Sequence, residues 1–84
     1  MTVSLLRLPN GDCSLEFALE DIDRVRAALL LKYGTPVVER FPFLTVYKFP
    51  TASLTFQNEW DDPCLISSSA HGAEMLEHLA KELG

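Results

Sequence analysis

The chain lacks a long apolar run. Its longest, Ala27 to Leu31, is five residues, far below the roughly 20 that a membrane-spanning helix needs. No membrane partner is expected. The N-terminus shows no basic region leading into an apolar stretch and a small-residue cleavage site, so a signal peptide is not expected and a cytoplasmic setting is. Cysteine is scarce. Cys13 and Cys64 are the only two and form no CxxC pair, so their simplest state in a reducing compartment is as buried thiols. Basic charge is scarce as well. Lys+Arg 7 against Asp+Glu 12 leaves a net charge of −5, and the basic residues nowhere cluster. Sequence-independent nucleic-acid binding works through Lys and Arg neutralising phosphates, so no nucleic-acid partner is expected. There is no repeat, low-complexity tract or linker.

What the chain does have is apolar content, 48% of its 84 residues. That is too much for a disordered segment and enough for a single domain over 1–84. A domain this small buries only about 60–65% of its unfolded surface, so its core is limited. Sharing apolar surface with a second copy would relieve that shortage.

Val3 to Leu8 reads as a strand, and Cys13 to Leu19 alternates cleanly, with Cys13, Leu15, Phe17 and Leu19 on one face. Between them stands Asn10-Gly11, a strong signal for a two-residue type I′ hairpin turn. With that loop, Leu8 pairs with Cys13, Leu6 with Leu15 and Ser4 with Phe17. Leu6 and Leu8 then join the apolar face, Val3 and Leu5 fall on the opposite one, and Arg7 sits across from Ser14.

Glu20 to Tyr33 reads as a helix, with Glu20, Asp21 and Asp23 at its positive end. Ile22, Val25, Leu29 and Tyr33 form its apolar stripe, and Gly34 and Pro36 end it. Leu31 points nearly opposite Ile22. From 37 to 68 the pattern is β. Val37 to Phe41 comes first and Pro42 then interrupts, as a ladder proline does at an edge or bulge. Phe43 to Phe49 is the strongest strand, Pro50-Thr51-Ala52 turns, and Leu54 and Phe56 alternate with Thr55 and Gln57. Glu59 to Pro63 reads as a loop, and Cys64 to Ile66 as a short buried strand. Ala70 to Leu83 forms the last helix, with Leu76, Leu79, Ala80 and Leu83 as its stripe and Gly72 and Met75 at the margins. Ser68 or Ser69 caps it, and Glu77 with Lys81 makes a favourable i,i+4 pair. The expected fold is α+β: an antiparallel sheet of about five strands in ββαβββα order, with two helices packed on one face.

The αβββα stretch from Glu20 onward resembles the layout of a double-stranded-RNA-binding domain. That family carries a lysine cluster at the start of its last helix. The equivalent stretch here, Ser68-Ser69-Ala70-His71-Gly72-Ala73-Glu74, has none, so the resemblance extends to fold and not to RNA binding. In size and organisation the chain resembles short bacterial domains.

Side chains capable of chemistry are few. His71, Glu74 and His78 share the polar face of the last helix, but i to i+7 spans about 10.5 Å of rise, too far for both imidazoles to hold one ion. Cys13, Cys64, His71 and His78 fit no common zinc spacing. Cys64 with His71, oriented by Asp61, would make a thiol–imidazole pair, though nothing in the spacing is diagnostic. Ser67-Ser68-Ser69 lacks the basic or glycine-rich neighbours of an anion site and reads as capping. No catalytic residue, metal site or cofactor is expected.

Two features point to partners. In Phe43 to Phe49 neither alternating set is polar, although a half-exposed strand should have one polar face. Pairing Tyr47 with Phe56 and Phe49 with Leu54 puts the aromatics in the core and leaves Leu44 and Val46 on the open face, whereas a register shifted by one exposes the aromatics instead. Either way an apolar set remains on the face opposite the helices. In the hairpin register above, Val3 and Leu5 fall on that open face. A contiguous exposed apolar patch marks an interface, and a C2 homodimer is its simplest form. The second feature is Trp60, set among Glu59, Asp61 and Asp62. An aromatic anchor rimmed by acids suits a basic protein partner, as in an inhibitor or antitoxin-like protein. The expected partner-binding residues are therefore Leu44, Val46, Val3, Leu5, Trp60 and Asp61, in a non-enzymatic interaction module.

Overall fold

The computed structural model describes residues 2–84, apart from the side chain of Glu59. The strands are β1 (Val3–Arg7), β2 (Cys13–Phe17), β3 (Val37–Arg40), β4 (Leu44–Lys48), β5 (Ser53–Glu59) and β6 (Asp62–Ser67). A 3-10 turn at Leu19–Asp21 leads into α1 (Ile22–Tyr33), and α2 (Ala70–Leu83) closes the chain. The strands form one antiparallel sheet in the order β1-β2-β6-β5-β4-β3. The α+β class is as expected, but six strands form rather than about five. Pro42 falls between two separate strands, β3 and β4, which brings the count to six. It sits in the tight turn between β3 and β4, where the Phe41 N–H donates to the Leu44 carbonyl at 2.9 Å. From Glu20 onward the order is thus αββββα, one strand more than the RNA-binding layout.

One row of cross-strand neighbours defines the helix-facing side: Leu5, Leu15, Leu65, Phe56 and Thr45, ending at Arg40. Leu15 and Leu65 are fully buried in it, and the core continues through Cys13, Phe17, Tyr47 and Leu54 to Val25 and Leu29 of α1 and Leu76 and Leu79 of α2. Both helices lie on this side. Phe17 stacks on Phe56 with ring centroids 6.4 Å apart, and Tyr33 meets Phe49 edge-on at 6.1 Å. The Tyr33 hydroxyl donates to the Met75 carbonyl at 3.4 Å. Burial and the nearby Glu82 carboxylate push its pKa up, because both disfavour the phenolate.

Each helix ends as its sequence dictates. Gly34 takes φ +85, and its N–H donates to the Leu30 carbonyl, a conformation that needs no Cβ. Of the two candidate serines, Ser69 caps α2 by accepting from the Gly72 N–H at 3.1 Å. Gly72 is buried, and a Cβ there would collide with the Ser67 hydroxyl, so glycine lets α2 start close against β6. Met75, expected at the margin of the stripe, is buried in the core. Glu77 pairs with Arg7 of β1 rather than with Lys81.

The β1–β2 hairpin departs from its expected register by one residue. Arg7 pairs with Cys13, Leu6 with Ser14, Leu5 with Leu15 and Val3 with Phe17. The reason is Pro9. A two-residue Asn10-Gly11 loop would close with a hydrogen bond from the N–H of residue 9, and proline has none. Instead the Leu8 N–H donates to the Asp12 carbonyl and the Gly11 N–H to the Leu8 carbonyl. Gly11 sits at φ +91, as in a three-residue loop that ends in a glycine bulge. A one-residue slip turns every side chain to the other face. Val3 and Leu5 therefore pack against the core under the helices, while Leu6 is exposed on the open side.

Candidate interaction surfaces

The side of the sheet away from the helices is the first surface. Its central row runs Leu6, Ser14, Ile66, Thr55, Val46 and Glu39 across all six strands. A second row brings Glu16, Cys64, Gln57 and Leu44 together. Leu44 and Val46 lie here, half-buried, so of the two registers the one that puts the aromatics in the core gives the right faces. Tyr47 pairs with Leu54 and Thr45 with Phe56, two residues from that register, which preserves the assignment of faces. Val3 and Leu5 are not part of this surface. Leu6, Ile66 and Val37, which is 67% exposed, take their place. At the β3 edge, Glu39 pairs with Lys48.

The second surface is the tip of β5–β6. Glu59 pairs directly with Asp62, leaving a two-residue turn of Trp60 and Asp61 where a longer loop was expected. Both turn residues have φ +56, the backbone of a type I′ turn. Asparagine and glycine suit that backbone. Tryptophan does not, and the left-handed conformation costs a residue with a Cβ about 1–2 kcal/mol. The Trp60 side chain offsets none of this within the chain, since it is 96% exposed. Asp61 and Asp62 are exposed beside it, and the side chain of Glu59 lies outside the described residues. The strain follows from the register of the flanking strands. Leu65 lies opposite Phe56 and faces the core, and that pairing leaves only two residues for the connection.

The neighbouring tip is also aromatic. Phe43, in the turn between β3 and β4, is 85% exposed, and Phe41 is about half exposed. Sequence patterning placed Phe43 in a strand. Pro42 beside it, whose fixed φ suits a turn, was the available signal. Phe41, Phe43, Phe56 and Asn58 line an open groove of about 290 Å³.

The residues with catalytic or ligand potential do not converge. Cys64 lies on the open face of β6, whereas His71 and His78 are exposed on α2, on the other side of the sheet. Cys13 is buried beneath the helices. A Cys64–His71 pair and a four-ligand zinc site are both incompatible with this arrangement. Among the described residues no group of three or more His, Cys, Asp and Glu is placed to hold a metal ion. The space between α1 and the sheet is about 10 Å³, at most the size of a water. Among the described residues no helix is long and apolar enough to cross a membrane. No family model, curated protein or solved structure matches the chain.

Proposed function

We propose that the chain is a non-enzymatic interaction module that pairs with a second copy through its open sheet face. The observation that carries this reading is the one-sided architecture. Both helices pack on one face, and the other presents Leu6, Leu44, Val46 and Ile66 across the strands. Apolar side chains on an uncovered sheet gain from a partner. A patch that meets its own copy closes by two-fold symmetry. The molecule measures 27 × 26 × 26 Å, so the sheet face is comparable to the roughly 800 Å² each partner contributes to a standard interface. Sedimentation equilibrium at high micromolar concentration tests the proposal. The expected result is a dimer that Val46→Glu converts to a folded monomer, and a strictly monomeric wild-type chain would overturn it.

The exposure of Trp60 favours a second reading, that of an acidic inhibitor or antitoxin-like protein docking on a basic partner. Trp60→Ala and Asp61→Asn would then weaken capture of that partner, and the affinity would fall with added salt.

A further inference from the structure

The sheet topology brings more to this surface than Trp60. β3 and β5 run in the same direction, so the β3–β4 turn and the β5–β6 turn lie at the same end of the sheet. Their strands β4 and β5 are neighbours, with Leu44 opposite Gln57. Phe43 and Trp60 therefore project from adjacent tips, both almost fully exposed. β2 also runs toward this end, which places Glu20 and Asp21, after its last residue, there too. Asp23 pairs with Arg26 at 3.4 Å. Among the described side chains, that leaves Glu20, Asp21, Asp61 and Asp62 against Arg24 and Arg40, so the end is acidic where its aromatics are.

We infer that the two tips form one docking site for an arginine-bearing, otherwise apolar segment of a partner protein. Phe43 and Trp60 supply the contact faces, and Asp61 and Asp62 supply the charge. This rests on the basic-partner reading and names the chemistry of its ligand. A guanidinium stacks on aromatic rings and binds carboxylates through a planar fork, which an ammonium cannot do. The groove beside Phe43 receives the apolar part of the segment.

Trp60 is the only tryptophan, so its fluorescence reports on the site directly. The probe is a synthetic 12-residue peptide of alternating arginine and leucine, with lysine–leucine and glutamate–leucine counterparts, followed in parallel by calorimetry. The arginine peptide is expected to blue-shift the emission saturably, more tightly than the lysine peptide, with no response to the glutamate one. Phe43→Ser is expected to weaken that binding at least fivefold while leaving the circular dichroism unchanged. Equal binding by wild type and Phe43→Ser, or calorimetric binding without a Trp60 response, would overturn the composite site and leave the basic-partner reading standing. Binding of no basic peptide by either method would overturn both.

Discussion

The hairpins β1–β2 and β5–β6 reverse the expectation set by their turns. The first contains Asn10-Gly11, the favoured residues of a type I′ turn, and does not make one. The second contains Trp60-Asp61, with neither asparagine nor glycine, and takes the positive φ angles of that turn at both positions. The difference lies in what fixes each register. β1 is an edge strand with one neighbour, so local chemistry decides, and Pro9 removes the donor that the two-residue loop requires. β6 lies between β2 and β5, paired on both sides. Its register is set by core pairs such as Leu15 with Leu65 and Phe56 with Leu65, and the turn conforms.

If β6 is the element that dictates the second hairpin, damaging its core contact should have the largest effect. Leu65→Ala removes a side chain 2% exposed from the row that joins both hairpins. A loss of about 2–5 kcal/mol is expected, read from urea unfolding. A loss below about 1 kcal/mol would mean that the register is held elsewhere.

Exchanging the turn chemistry sharpens the contrast. Gly11→Ala places a Cβ at φ +91 and should destabilise by about 1–2 kcal/mol. The double change Trp60→Asn, Asp61→Gly installs the preferred residues on a backbone already of type I′, and should stabilise by a similar amount. The same variant should lose the response to the arginine peptide, measured by calorimetry because its tryptophan is gone. Higher stability with lost binding is the pattern of a strained functional residue. Destabilisation by the double change would show that Trp60 carries no strain.

These hairpins also mark how far the sequence could be read. The helices and the α+β class follow from periodicity, because each stripe is long enough to outweigh a local error. The open-face position of Leu44 and Val46 does not, because neither alternating set of that strand is polar and only its register with β5 decides. Cys64 and His71 were beyond such reading, since their separation depends on which faces β6 and α2 present. The exposure of Phe43 was equally hidden, whereas Trp60 stands out in the sequence because three carboxylates surround it. Aromatic residues in β-rich sequence read as core, and only a turn placed within one residue reveals otherwise. Val3 and Leu5 show the cost of a single-residue slip at an edge, where Pro9 outweighs the Asn10-Gly11 motif beside it.

That slip allows the smallest and most direct test. In the observed register Leu5 packs against the core and Leu6 is 43% exposed on the open face. Leu5→Ala should cost about 1–2 kcal/mol, since the side chain is only partly buried, and Leu6→Ala should change stability by no more than about 0.5 kcal/mol. The alternative register, with Asn10-Gly11 as the loop, reverses the order because it places Leu6 opposite Leu15. Urea unfolding of the two variants at low protein concentration, where self-association does not contribute, decides between them. A larger loss for Leu6→Ala would restore the two-residue turn and return Val3 and Leu5 to the open face.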